Sequence, residues 1–196
     1  PWANAYESMV YVGWSTALAG LLFARRTTIT LSLAALFAGI ILIVANMNFM
    51  DSEITPLVPV LKSYWLMLHV SVIMAGYGFF GISLLLGIVS LFFMAISAKK
   101  KNRLLEQKAE ELRVINEMSL HIGHYLLTAG IFIGAIWANE SWGRYWGWDP
   151  KETWALITMI VYTFILHARF VKSLRSDYAF SVMSILGFLS VLMTYF

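Results

Sequence analysis

Six long apolar runs, broken only by short polar stretches, limit what this chain can become. They cover residues 6–23, 29–47, 64–97, 118–138, 153–170 and 178–195. Most are near the roughly 20 residues needed to cross the hydrocarbon of a bilayer. The third is longer and is expected to continue past the membrane face as helix. Helix is the required form, because lipid offers the backbone no hydrogen-bond partners. With 60% hydrophobic and 13% charged residues, the chain exceeds what one soluble core absorbs. The expected fold is therefore an all-α integral membrane protein with six transmembrane helices, forming a single domain over residues 1–196.

The cations orient it. Eleven of the fourteen Lys and Arg residues fall between runs one and two, between three and four, or from the end of run five (Arg169) to run six. By the positive-inside rule those connections are cytoplasmic, and both chain ends lie outside. The largest cytoplasmic connection, residues 99–117, mixes both signs of charge with Leu and Val. It reads as an amphipathic helical hairpin or extension, or as a solvated connector. The net charge of +3 sits in loops, and no basic face interleaved with aromatics suggests nucleic acid. Cysteine is absent, which excludes disulfides, thiolate metal sites and covalent haem attachment to this chain. Pro1 stands where Met is usual and the last apolar run reaches Phe196, so the chain reads as a fragment.

Residues 137–154, expected to form an outer loop, hold five of the eight tryptophans: Trp137, Trp142, Trp146, Trp148 and Trp154. Tyr145 lies among them. Indole faces stack on planar groups and attract cations, while Arg144 and Lys151 suit carboxylates. Such a segment fits a shelf for a flat aromatic ligand, or an unusually dense interfacial aromatic belt. Asp149-Pro150-Lys151-Glu152 also carries a helix-start signature: an acceptor at the N-cap, Pro at the first helical position and Glu at the third. The fifth helix should then begin near Pro150, with Asp149 as its cap.

At these residues the chain resembles a known family. The stretch from Trp142-Gly143-Arg144-Tyr145-Trp146-Gly147-Trp148-Asp149-Pro150 through Trp154 resembles the WWD signature of haem-handling proteins. Flanked by Trp137-Ala138-Asn139-Glu140 and Ala155-Leu156-Ile157-Thr158, it is similar to the CcsA-type protein of system II cytochrome c biogenesis. Residues 59–70, residues 4–8 and Leu166-His167-Ala168-Arg169 resemble the same family, in the same order along the chain.

The resemblance implies haem b (iron protoporphyrin IX) as cofactor. It also implies two haem sites. A histidine matching His69 ligates an outer haem beside the tryptophans, and one matching His167 ligates a haem within the membrane. The second outer ligand is expected beyond Phe196. The second inner ligand is expected from a CcsB/ResB-like partner subunit or fused domain. Depth agrees that the sites are separate. His69 lies about 9 Å into its helix from the outer end, and His167 about 25 Å into its own. Two nitrogens on one iron are only about 4 Å apart. His121 and His124 match no family ligand, and share a helix face at the start of the fourth run.

What the resemblance implies overall is haem transport and presentation to apocytochrome c for thioether attachment. The setting would be the bacterial inner membrane, with the tryptophans periplasmic; a chloroplast thylakoid is the less favoured location. A thiol-reducing pathway would keep the client cysteines free. The chain would belong to a holocytochrome c synthase (haem lyase) complex. No acid–base or nucleophile constellation is visible, so no residue receives a catalytic role. Two rivals stand beside this reading: a system I type haem chaperone or exporter, and a b-type electron-transfer subunit pairing His121 or His124 with His167.

Overall fold

The computed structural model describes residues 5–47 and 62–195, whose regular structure is helical throughout. The helices are α1 (Ala5–Phe23), α2 (Thr28–Ala45), α3 (Tyr64–Lys100), α4 (Arg103–Trp142), α5 (Pro150–His167) and α6 (Asp177–Tyr195). A 3-10 turn, Ala168–Phe170, closes α5. Motif positions 4 and 59–61 lie outside the described residues.

Among the described residues five helices, α2 to α6, are long and apolar enough to cross a membrane. The sixth expected span, α1, has 19 residues but lower hydropathy. Glu7, Ser8, Ser15 and Thr16 dilute it. Ser15 and Thr16 hydroxyls donate to Val12 O at 3.0 and 2.7 Å, so α1 satisfies these two within itself.

α3 and α4 dominate. At 37 and 40 residues they measure about 55 and 60 Å, well beyond the ~30 Å hydrocarbon layer. They form an antiparallel hairpin whose turn is Lys101–Asn102. Lys101 takes a left-handed backbone (φ 46°), and Asn102 caps α4 by accepting Leu104 N–H at 3.0 Å. Residues 99–117 are thus helical except at that turn. The fourth helix starts at Arg103, not near 118 as the hydropathy suggested. Its charged first half pairs along its own face, Lys108 with Glu111 at 2.7 Å and Arg113 with Glu117 at 3.1 Å. Its other face buries Ala109, Leu112 and Ile115. Hydropathy alone is blind to a helix stabilised this way.

Small residues set the α3–α4 spacing. A Cβ at Gly76 would lie 3.1 Å from Gly123 O, and one at Gly123 would lie 3.2 Å from Gly76 O. Backbones therefore approach directly, as small residues permit between membrane helices. Around this crossing lies a core of Ile73, Tyr77, Phe80, Leu120, Leu127 and Tyr162, with Phe80 and Tyr162 stacked at 3.8 Å between centroids. A second core joins α1 and α2 to the hairpin through Phe23, Ala34, Phe79, Leu86 and Leu112.

Polar ties hold α6. Fully buried Asn116 accepts from Ser83 Oγ and donates to Ser184 Oγ at 3.2 Å, linking α3, α4 and α6. Below it, Glu117 and Asp177 each pair with both Arg113 and Arg169, at 2.8–3.2 Å. This four-residue ring joins α4, the 3-10 turn and α6. Asn116→Leu takes the acceptor from the buried Ser83 hydroxyl and the cross-helix donor from Ser184, which keeps only its own bond to Ser181 O, and the expected loss is about 1 kcal/mol. Thermal unfolding in detergent should show a lower midpoint, and an unchanged midpoint would contradict the role given to Asn116.

Candidate functional site

The site begins with two helix ends. α4 stops at Trp142 because Gly143 takes a left-handed backbone (φ 71°) and returns its N–H to Asn139 O at 2.8 Å. α5 starts at Pro150 because Asp149 Oδ1 accepts Glu152 N–H at 3.0 Å. The expected cap is therefore present. The expected loop of 137–154 is much shorter: only 143–149 connects the helices, while Trp137 and Trp142 ride on α4 and Trp154 on α5.

That connection is held from within. Glu152 Oε2 accepts the Gly147 N–H at 2.7 Å, reaching back past its own cap. The Arg144 guanidinium packs on Gly147, where a Cβ would lie 2.7 Å from Cζ. Trp148 sits between these two ties in a left-handed backbone (φ 57°) that a bulky residue rarely adopts. Trp146 and Trp148 rings meet edge-on at 5.7 Å, and Trp137 and Trp142 at 4.7 Å.

Beneath the connection lies a cavity of about 550 Å³, within the usual range of ligand pockets. Of the expected binding residues, Trp137, Trp142, Tyr145, Trp146, Asp149 and Lys151 line it, together with His69. Arg144, Trp148 and Trp154 are not among its lining residues. Trp148 is instead 71% exposed. The tryptophans thus divide, and the two expected cations divide with them.

His69 reaches the cavity from the first turns of α3. Its Nδ1 lies 2.7 Å from Gly130 O. A carbonyl only accepts, so Nδ1 carries the hydrogen, and the neutral ring then keeps its lone pair on Nε2. The ring occupies the space left by Gly134, where a Cβ would be 2.5 Å from both Cε1 and Nδ1. Sequence reasoning missed Gly130 and Gly134. Their signal was the spacing Gly130, Gly134, Ala138, a row of small residues on one face of α4.

His167 stands elsewhere, exposed at the end of α5 and absent from the cavity lining. Its Nδ1 donates to Thr163 O at 2.8 Å, again leaving Nε2 free. His121 repeats this with Glu117 O at 2.8 Å. His124 differs. Thr163 Oγ1 spends its hydrogen on Met159 O, so His124 Nε2, 3.3 Å away, must be the donor. Its lone pair is on Nδ1, which is buried without a partner. His124 therefore packs rather than presents a ligand nitrogen. Among the described residues no group of three or more His, Cys, Asp and Glu is placed to hold a metal ion.

Comparison with known proteins agrees in one direction. A family model described as cytochrome C assembly protein matches residues 2–196. The chain is 51% identical over 196 residues to protein NrfI of Wolinella succinogenes, covering all of this chain but 22% of that protein. It is 36% identical over 220 residues to the cytochrome c biogenesis protein CcsA of Guillardia theta, covering 100% of this chain and 72% of that one. It is 34% identical over 205 residues to the CcsA of Chlamydomonas reinhardtii, covering 57% of that protein.

Removing the Glu152 tie should loosen the connection without unfolding the bundle. A charge-assisted hydrogen bond is worth about 1.5 kcal/mol, so in Glu152→Ala the Gly147 amide should exchange about tenfold faster. Amide exchange followed by mass spectrometry checks this; equal protection in both proteins would show that the tie is idle.

Proposed function

Since the chain belongs to the cytochrome c assembly protein family, we propose that it handles haem b and presents it to apocytochrome c for thioether attachment. One observation carries this reading. An imidazole with Nε2 free faces a cavity walled by Trp137, Trp142 and Trp146. The donor set fits haem: one axial nitrogen, indole faces for the ring, and Lys151 for a propionate. When bound, haem supplies the iron and the vinyl groups to which client thiols add. The chain's own part is to hold and orient.

His69 holds the iron side, its tautomer fixed by Gly130 and its ring position by Gly134. Trp146 is placed by the Glu152–Gly147 tie, so the cavity roof is set before a ligand arrives. Arg144 serves as a brace for Gly147 rather than as a propionate partner. His167, with Nε2 exposed on the bundle surface, suits a second site completed by a CcsB/ResB-like subunit or fused domain. We assign six spans, α1 included, because its contacts with α2 and α3 are extensive and its Ser15 and Thr16 hydroxyls are satisfied internally. The cation-rich turns all fall at one end of the bundle, which supports a cytoplasmic placement for them and a periplasmic one for the cavity in a bacterial inner membrane.

Two substitutions test the reading. His69→Ala should remove the outer haem's Soret absorbance and stop cytochrome c maturation in cells. Normal maturation would refute the role. Gly134→Ala crowds the imidazole without removing it, and should weaken haem affinity about 10-fold to 100-fold, as other supporting-shell changes do. Titration of haem into the purified protein reads this directly.

A further inference from the structure

A second cavity of about 320 Å³ lies beside the first, between α1, α2 and α6. Val12, Ile41, Val44, Val191 and Leu192 line it with carbon alone. Edge-on contact between Phe37 and Phe188, 5.9 Å between centroids, narrows its floor. Leu192 is 40% exposed, so the cleft reaches the lateral surface of the bundle. Exposed Ile40, Ile43 and Leu189 flank it on α2 and α6. In a bilayer this surface faces acyl chains.

Tyr77 is the residue common to the linings of both spaces. It is buried, and its side chain hydrogen-bonds Thr194. Thr194 Oγ1 lies 2.9 Å from Thr158 Oγ1, and Thr158 Oγ1 lies 3.0 Å from Ser190 O. Each hydroxyl has one hydrogen. Thr194 Oγ1 also lies 2.9 Å from Ser190 O, so one threonine donates to that carbonyl and the other to its neighbouring threonine, which leaves the Tyr77 hydroxyl to donate to Thr194. One aromatic ring thus partitions the two cavities, latched by a hydroxyl chain from α6 and α5.

We propose that the cleft between the α1–α2 pair and α6 is a lateral doorway by which a planar porphyrin dissolved in the membrane reaches the His69 cavity, with Tyr77 as its door. This rests on the reading of that cavity as a haem site. Continuity with it argues for the same occupant: the apolar cleft suits a ring edge, and the polar, indole-walled chamber suits the whole ligand. A route through lipid spares an apolar ring passage through water.

The test uses full-length protein in vesicles preloaded with zinc protoporphyrin, following quenching of tryptophan fluorescence. Leu192→Phe and Val44→Phe fill the cleft at its lateral side without adding an indole, and should slow quenching at least about tenfold, with the end point unchanged. Tyr77→Phe keeps the partition but removes the latch, and should speed quenching about threefold to tenfold. Unchanged rates in all three variants would overturn the doorway while leaving the cavity reading intact. No quenching in the unaltered protein would overturn both. Equal uptake by the cleft-filled variants from lipid, with faster uptake from water, would also reject the doorway.

Discussion

The direct contact of two backbones at Gly76 and Gly123 sets everything above it. Because no side chain separates α3 from α4 there, the helices remain close for two further turns. His69 then arrives within 2.7 Å of a carbonyl on the neighbouring helix. A hydrogen bond between an imidazole and a foreign helix's backbone demands that carbonyl to be accessible, and Gly130 and Gly134 make it so. The same closeness leaves space on the opposite side, where the cavity forms under Trp146. Tautomer, ring position and chamber thus descend from a packing choice made about two turns away.

The bundle is built differently at its two ends. Near the cation-rich turns, buried Asn116 and the ring of Arg113, Glu117, Arg169 and Asp177 tie three elements together by polar contacts. Near the tryptophans, the ties are glycine packing, the His69–Gly130 bond, the uncharged hydroxyls of Thr158 and Thr194, and one short connection. Polar ties between membrane helices are directional and specify a register. Glycine packing specifies distance but leaves the surface smooth. The structure accordingly gathers its charged ties at one end and places its chamber at the other.

Much of this was legible in the sequence, for identifiable reasons. Apolar runs place helices α2 to α6, because lipid permits little else. Asp149, Pro150 and Glu152 announce the start of α5, because capping is local chemistry. The first half of α4 was legible only as one of two readings of residues 99–117, since a helix held by Lys108–Glu111 and Arg113–Glu117 pairs has no hydropathy signal. The division of the tryptophans was hidden. Which indole turns inward depends on Gly143 ending α4 and on Trp148 adopting a positive φ, and neither follows from composition. The packing of the Arg144 guanidinium on Gly147 was hidden as well, since it depends on the path of the 143–149 connection.

The crossing at Gly123 also falls almost at the midpoint of α4, with about 29 Å of rigid rod toward Trp142 and about 30 Å toward Arg103. Such a rod is a balanced lever. Rocking it by roughly 5° moves both tips about 2.5 Å in opposite senses, given a rise of ~1.5 Å per residue. A push on the charged turn at Lys101 and Asn102 would therefore be felt, reversed, by the indole of Trp142 at nearly full amplitude and by that of Trp137 at about two thirds of it.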